Sequence, residues 1–218
     1  MIDEELKKEL DRHQGIIIDD KSKYICVSAC PGAGKTYTLV NKIVKELDEL
    51  KEFQGIIACS FTKESSKEIM HRLNDNDKLD NSYIGTIDSF IMKLIIFPYL
   101  NRYLFSRNLI TKRVDITKIL IDNDKRLNNF VRYYDSNITL RKEANLYAKE
   151  WLNDLISGTY SISFPAYILA TNIIKMDIFK DYFSLRYPTI YIDEAQDFNY
   201  FQHMMLNSLK ANKNINIV

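Results

Sequence analysis

Apolar residues follow two different periods along this chain, and the change of period divides the sequence into three parts. Towards both ends, short apolar runs rich in β-branched residues alternate with segments whose apolar residues recur every three or four positions, which predicts strands alternating with helices. Between about residues 87 and 185 the helical period continues, with breaks expected near Pro98, Asn108, Asn137 and the 158–165 stretch. Strands are predicted at 24–28, 56–60, 83–85, 189–192 and 215–218, and helices at 3–13, 35–51, 63–73 and 199–211.

The predicted elements place the chain in the α/β class. Strands that alternate with helices form a parallel sheet flanked by helices, because parallel neighbours need a crossover connection. The middle part is longer than an ordinary crossover and has its own helical pattern, so it predicts an inserted, all-helical subdomain. We therefore expect a discontinuous sheet domain at 1–90 and 187–218 and a helical insertion at 91–186.

Composition narrows the range of functions only slightly. The 218 residues carry a formal net charge of +1, so there is no overall electrostatic argument for binding nucleic acid. Cys26, Cys30 and Cys59 do not have the spacing of metal ligands, and three thiols are more typical of a reducing compartment than of a disulfide scaffold. No segment approaches the length of an apolar membrane span. We expect a cytoplasmic protein without a membrane partner.

The segment 29–36, with the sequence ACPGAGKT, has the features of a P-loop that holds a nucleoside triphosphate. It lies between an apolar run and a helical pattern, and its two glycines let the backbone turn its N–H groups towards phosphate oxygens. Lys35 would reach the β- and γ-phosphates, and the Thr36 hydroxyl would contact Mg²⁺. Ala29 replaces the first glycine of the usual pattern, and a small residue there still permits the loop. The predicted nucleotide contacts in this region are Ala29, Cys30, Pro31, Gly32, Ala33, Gly34, Lys35, Thr36 and Tyr37.

A pair of carboxylates follows the apolar run 189–192 and supplies the second half of such a site. Taken alone, an Asp-Glu pair is more often a solvated turn, but here a predicted strand precedes it and a P-loop lies upstream. Asp193 would hold Mg²⁺ through its water shell, and Glu194 would orient or deprotonate the attacking water. The expected catalytic residues are Lys35, Asp193 and Glu194, with Gln196 as a further nucleotide contact and with ATP and Mg²⁺ as the ligands.

These two motifs and three others resemble, in the same order, the motifs of the UvrD/Rep/PcrA-like superfamily 1 DNA helicases. Residues 10–14 (LDRHQ) resemble the Q-motif, residues 57–66 resemble motif Ia and residues 85–90 (GTIDSF) resemble motif Ib. The DEAQD form at 193–197 is typical of the same family. The resemblance covers nearly the whole chain, and it implies a RecA-like ATP-binding domain 1A with an inserted 1B subdomain.

The resemblance implies a role for each of these motifs. Gln14 would read the adenine, since a side-chain amide can donate to a base edge and accept from it at the same time. Motifs Ia and Ib would line a track for single-stranded DNA, with an aromatic ring stacking on bases and polar groups meeting phosphates or sugars. Asp88 stands where the family has histidine, and a carboxylate would repel a phosphate there. The implied DNA contacts are Phe61, Thr62, Lys63, Thr86 and Ser89.

The resemblance also implies that a helicase of this family has further parts that are not in this sequence. In the family the strand at 215–218 leads into motif III, and a second RecA-like domain supplies arginine fingers to the ATP site. An arginine finger contributes on the order of 10³–10⁵ in rate, so we expect slow ATP hydrolysis unless that domain or a partner chain is present. The length of the insertion and the run at 95–98 (IIFP) resemble helicase components of bacterial defence systems such as Gabija, which implies a nuclease partner.

Three functions are consistent with the sequence. The first is the ATP-binding portion of a UvrD-like helicase that couples ATP hydrolysis to movement on single-stranded DNA. The second is a truncated or degenerate module that binds nucleotide and DNA without turnover on its own. The third is an unrelated P-loop enzyme such as a nucleotide kinase, which lacks support because the sequence has no arginine-rich lid pattern.

Overall fold

The chain folds into helices and short strands, as seen in a computed structural model that describes residues 4–30, 32–73, 77–113 and 165–218. In chain order the helices are α1 Glu4–Asp19, α2 Lys35–Glu49, α3 Lys63–Leu73, α4 Ile87–Phe90, α5 Phe97–Ser106, α6 Pro165–Ile174, α7 Asp177–Arg186 and α8 Tyr200–Lys210. The strands are β1 Ile57–Ser60, β2 Tyr83–Thr86, β3 Thr189–Ile192 and β4 Asn216–Ile217. A π-helical stretch, Ile91–Ile96, joins α4 to α5, and 3₁₀ turns lie at Asp77–Asn81 and Ala195–Asp197.

The four strands form one parallel sheet in the order β2-β1-β3-β4. Ile57 lies opposite both Tyr83 and Ile190, so the three strands β2, β1 and β3 run level with one another and end at the same edge. Every residue of β1 is buried, as expected for a strand with both faces covered. The predicted α/β class, with a parallel sheet and flanking helices, is confirmed. Ligands of such sheets bind beyond the carboxyl ends of the strands. A ligand is therefore expected beside the residues that follow β1, β2 and β3.

Helices α2 and α3 supply the apolar side chains that pack against the sheet. Ile43 and Leu47 of α2 and Ile69 of α3 are almost completely buried in one cluster with residues of β1 and β3. Leu39 of α2 and Leu50, which directly follows the helix, are partly buried against the same cluster. Burying a side chain of this size contributes about 1.5–3 kcal/mol, so the stripe holds α2 firmly on the sheet.

The strand predicted at 24–28 is not formed. Tyr24 makes a single parallel bridge with Ile217, and the pairing does not extend into a ladder. Residues 26–28 have no strand partner within the described part of the chain, and all three are exposed. The prediction was wrong beyond the first residues of the segment, although the segment still leads into the loop at 29–36.

The first helix is longer than predicted. The apolar pattern ended it near residue 13, whereas α1 continues through Gly15 to Asp19 and places Gln14 inside the helix. The carbonyl groups at its end accept hydrogen bonds from Lys42, which lies on α2. These contacts join residues more than twenty positions apart and stabilise the final turn of α1. The local pattern of apolar residues cannot predict them.

The helix break predicted near Pro98 is absent. The backbone passes from α4 through the π-helical stretch into α5, and Pro98 lies in the first turn of α5. Proline is well tolerated in a first turn, where its missing N–H group is not needed. The break predicted near Asn108 is confirmed, since α5 has ended and Asn108 has a φ of 55°. Asn137 and most of the 158–165 stretch lie outside the described residues.

Contacts between residues separate the chain into two compact units. The first comprises Met1–Ile87, Asp181–Asp197 and Asn212–Val218, and it contains the sheet with α1, α2 and α3. The second comprises Asp88–Lys180 and Phe198–Ala211, and the regular elements among its described residues are all helical. The predicted limits of the sheet domain and of the insertion stay predictions. Among the described residues, no helix is both long and apolar enough to cross a lipid bilayer.

Candidate nucleotide-binding site

The loop that leads into α2 turns at two glycines. Gly32 has a φ of 80° and Gly34 a φ of 78°, which is the left-handed region where a side chain is unfavourable. Gly34 is the N-cap of α2 and offers no side-chain cap. Its carbonyl accepts from both the N–H and the hydroxyl of Thr38, at 2.9 and 3.1 Å, which fixes the first turn of the helix. The helix thus begins directly after Gly34, and its positive dipole end faces the loop.

The other predicted loop residues lie on both sides of this turn. Lys35 and Thr36 open α2 and are half-buried, whereas Tyr37 is exposed. Ala29 and Ala33 are half-buried, and Cys30 is exposed. Pro31 lies outside the described residues. The loop thus consists mainly of small residues, and it is followed at once by two polar side chains.

Gln14 lies against this loop, although it is far from it in sequence. Its Nε2 donates a hydrogen bond of 3.3 Å to the carbonyl of Ala33. A Cβ added to Gly34 would lie 2.7 Å from the same Nε2, closer than side chains normally approach. The Gln14 amide therefore occupies the space that the missing side chain of Gly34 leaves open.

The two carboxylates follow β3 at the carboxyl edge of the sheet. The N–H of Asp193 donates to the carbonyl of Cys59 at 2.8 Å, which continues the β3–β1 pairing one residue beyond β3. Glu194 Oε1 lies 3.6 Å from Lys35 Nζ, and its other oxygen accepts from the side-chain amide of Gln196. The structure thus brings the lysine of the loop and the acidic motif together at one edge of the sheet.

The backbone of Glu194 is strained. Its φ of 56° lies in the left-handed region, which costs a residue with a side chain about 1–3 kcal/mol and is typical of functional sites. The residue type gives no sign of this conformation, because sequence patterns expect glycine or asparagine there. The residue with this strained backbone is also the one whose carboxylate lies near Lys35.

Asp193 is partly buried, and its surroundings disfavour its charge. Burial raises the pKa of this carboxyl above its usual range, and the neighbouring Glu194 carboxylate raises it further, while Lys35 acts in the opposite direction. A negative charge in such a position is stabilised by a bound cation. The raised pKa also makes the charge a cost to folding at neutral pH.

We expect Asp193→Asn to raise the melting temperature at pH 7 in the absence of nucleotide and divalent metal. A carboxyl whose pKa is raised in the folded chain stabilises the fold fully only below its unfolded pKa, and this contribution is lost as the pH rises through the folded value. The gain at pH 7 should be on the order of 1 kcal/mol or less, because the side chain is partly open to solvent. Thermal unfolding at pH 7 and near pH 3 measures it, and the two chains should converge at the lower pH.

Asp181→Asn is the matched control, because that carboxylate is exposed on α7 and its loss should leave the melting temperature unchanged. An Asp193→Asn chain that melts below the wild type at pH 7 would show that this charge stabilises the fold.

The residues predicted to contact DNA in the first unit lie near the ends of neighbouring strands. Phe61 directly follows β1 and is 46% exposed, and Thr86 ends β2 opposite Ser60. The hydroxyl of Thr62 accepts from the N–H of Ser65 at 3.1 Å, so it caps the first turn of α3. Lys63 is exposed at the start of that helix. An aromatic ring and a lysine are therefore accessible to solvent beyond β1.

Asp88 and Ser89 lie in the second unit, on α4. The carboxylate of Asp88 accepts from the hydroxyl of Tyr167, and that hydroxyl accepts from the side-chain amide of Gln202 at 2.8 Å. Gln202 is itself buried and completes a capping box with Asn199 at the start of α8. The carboxylate that departs from the expected histidine thus has a protein partner, and no sequence pattern indicates this link between helices.

Comparison with known proteins agrees with this arrangement of motifs. The profile of the UvrD/REP helicase N-terminal domain matches residues 10–157. The chain is 31% identical over 189 residues to the Gabija protein GajB of Bacillus cereus, covering 85% of this chain and 34% of that protein. It is 27% identical over 214 residues to a probable DNA helicase II homolog of Rickettsia conorii, covering 83% of this chain and 33% of that one.

A more distant similarity extends to a larger protein. The chain is 24% identical over 170 residues to an ATP-dependent helicase/nuclease subunit of Lactobacillus acidophilus, covering 63% of this chain and 14% of that protein. The chain spans about a third of the length of the GajB and helicase II relatives. The profile match covers more than half of the sequence, and the chain therefore belongs to the UvrD/REP helicase N-terminal domain family.

Proposed function

We propose that this chain is the ATP-binding portion of a UvrD-like DNA helicase, which couples ATP hydrolysis to movement on single-stranded DNA. The observation that carries the proposal is the meeting of Lys35 and Glu194 at 3.6 Å, at the carboxyl edge of a parallel sheet and beside a glycine-rich loop. The lysine places a positive charge where terminal phosphates would lie, and the glutamate places a base where water would attack.

Each residue of the site then has a distinct task. The loop from Ala29 to Thr36 wraps the phosphates, with its N–H groups and the start of α2 favouring negative charge. Gln14 is held beside the loop and would recognise the adenine. Tyr37 in the first turn of α2 and Gln196, which donates to Glu194, would be further nucleotide contacts. Lys35 is held by Glu194 in this structure and would turn to the phosphates when they are present.

Thr36 and Asp193 are the residues that would hold Mg²⁺. They fit this task, because Thr36 opens α2 next to Lys35 and the partly buried carboxyl of Asp193 has a raised pKa that a cation would lower again. No group of three His, Cys, Asp or Glu side chains among the described residues could hold a metal ion by itself, so phosphate oxygens and water would complete the coordination. The ion would neutralise charge on the transferring phosphate.

Single-stranded DNA would lie across the ends of β1 and β2. The exposed ring of Phe61 can stack on any base, which suits a protein that moves over all sequences. Lys63 can meet a phosphate, and Thr62 and Thr86 can offer hydroxyl groups to the backbone. Ser89 belongs to the second unit, and we propose it separately as a hydroxyl that contacts DNA.

We propose two partners for this chain besides DNA. A second RecA-like domain, in this protein or in a partner chain, would supply arginine fingers to the ATP site and raise the rate of hydrolysis. A nuclease is the second proposed partner, and the relative that is named ATP-dependent helicase/nuclease subunit supports it.

The test is ATP hydrolysis with and without single-stranded oligothymidine. We expect the strand to raise a slow wild-type rate severalfold, and we expect Lys35→Ala to abolish the hydrolysis, because the lysine carries the charge that faces the phosphates. Lys51→Ala is the control, since this exposed lysine follows α2 at the end remote from the loop. A rate that responds neither to DNA nor to Lys35→Ala would refute the proposal. Binding of ATP that requires Lys35 but produces no turnover would mean that the chain is a part of a helicase that needs a second RecA-like domain for hydrolysis.

A further inference from the structure

Lys42 is an unusual lysine, because almost all of it is buried. The residue is 7% exposed and lies on α2 beside Ile43, within the helix that packs on the sheet. Lysine is rarely buried in proteins unless its ammonium group is fully bonded. The buried position therefore needs a compensating set of acceptors.

The acceptors are two carbonyl groups in the last turn of α1 and one that directly follows the helix. Lys42 Nζ donates to the carbonyl oxygens of Ile17 at 3.1 Å, Ile18 at 3.3 Å and Asp20 at 2.5 Å. An ammonium group has three donors, and the final carbonyls of a helix have no partner within the helix, so both sets are satisfied together. A cation at this end is also favoured by the helix dipole.

Two further lysines join the same pair of helices, but at the surface. Lys45 Nζ lies 2.6 Å from Asp19 Oδ1, and Lys21 Nζ lies 3.0 Å from Glu49 Oε2. Exposed ion pairs of this kind contribute little, because solvent screens the charges and two long side chains lose conformational freedom. The buried contact of Lys42 is therefore the main polar link between the end of α1 and α2.

This link lies close to the adenine-recognising residue along one helix. Gln14 is three residues before the first carbonyl that Lys42 bonds, which is less than one turn of α1. Helix α2 carries Lys35 at its start and Lys42 about two turns later. A displacement of the end of α1 from α2 would therefore move Gln14 away from the loop.

We propose that Lys42 is a positioning residue for adenine recognition: it fastens the end of α1 to the helix that begins at the loop, and so holds the Gln14 amide beside Ala33 and Gly34. This inference rests on the proposed function, in that it requires the loop to bind ATP. It assigns to Lys42 a part in the preference for adenine over other bases. Lys42 exerts this effect only through α1, because its bonds go to carbonyl groups in the last turn of that helix and directly after it.

The test compares the affinities of the whole 218-residue chain for ATP and for GTP. In Lys42→Met, which keeps the length and removes the charge, we expect ATP affinity to fall by about tenfold while GTP affinity stays nearly constant. Gln14→Ala should give the same loss, and the double variant should lose no more than either single one, because both act through one contact. Lys42→Arg should restore most of the preference, since it keeps charged donors at the same place.

Lys45→Met is the matched control, because it removes the neighbouring exposed lysine on the same helix and should leave both affinities unchanged. If Lys42→Met does not fold, Lys42→Gln replaces it and should show the same loss of preference. Equal losses for ATP and GTP, or an unchanged ratio, would overturn the inference and leave the proposed function standing. A wild-type chain that binds ATP through Lys35 but binds GTP equally well would also overturn the inference and leave the proposed function standing. A wild type that binds neither nucleotide would instead refute the proposed function.

Discussion

Glu194→Gln is expected to slow ATP hydrolysis by about 10²–10⁴-fold, the range that a general base contributes, while ATP binding is retained. Glutamine has the same shape and can still accept from the Gln196 amide, but it has no carboxylate to take a proton from water. It also ends the ion pair with Lys35, which frees that ammonium group for phosphates, so ATP affinity should hold or rise. Single-turnover hydrolysis and equilibrium binding of ATP measure the two effects separately.

A control variant isolates the role of this carboxylate from the general effect of removing a negative charge. Glu52→Gln changes an exposed glutamate in the turn after α2 and should leave both turnover and binding unchanged. A Glu194→Gln chain that hydrolyses ATP at close to the wild-type rate would show that Glu194 does not act on the water. A chain that also loses ATP binding would point to a structural role of the strained turn at Glu194 instead.

Sequence patterns predicted well those elements whose stability is local or depends on burial alone. The strand Thr189–Ile192 and the helix Lys63–Leu73 have the predicted bounds, because an apolar run and an amphipathic period specify them directly. The segment 24–28 failed because a strand needs a partner along its length, and its one bridge is to Ile217. The end of α1 failed for a related reason, since its last turn depends on Lys42 from another helix.

The sequence predicted which residues form the candidate site, but it did not predict how they are arranged. The motifs name Lys35, Glu194 and Gln14 because certain side chains recur at fixed spacing around phosphate chemistry. They do not say that Glu194 has a left-handed backbone or that Gln14 lies against Gly34, because both depend on how distant segments pack. Asp88 shows most clearly what a motif cannot predict, since its hydrogen-bond partner Tyr167 is 79 residues away in the sequence. The roles of all these residues stay predictions until the variants are measured.

Gly34→Ala is expected to weaken ATP binding by at least about tenfold, because it combines two separate effects at one position. The first is backbone strain: an alanine at a φ of 78° costs about 1–2 kcal/mol. The second is displacement: the new Cβ would lie 2.7 Å from Gln14 Nε2, so the amide must leave its position beside the loop. The amide ends a flexible side chain and can move at little cost to stability, but it would no longer face the adenine. Thermal unfolding and binding of ATP and GTP measure the two effects.

Two other glycines separate these effects, because each lacks at least one of them. Gly32→Ala introduces the same strain at a φ of 80° but meets no atom within 4 Å, so it should lower the melting temperature and weaken ATP and GTP alike. Gly15→Ala lies within α1 with open space around its Cβ, and it should raise stability by about 0.5–1 kcal/mol, as alanine does in a helix. Only Gly34→Ala should reduce the preference for ATP over GTP. If Gly32→Ala reduced that preference equally, the loop conformation rather than the place of Gln14 would determine which base is bound.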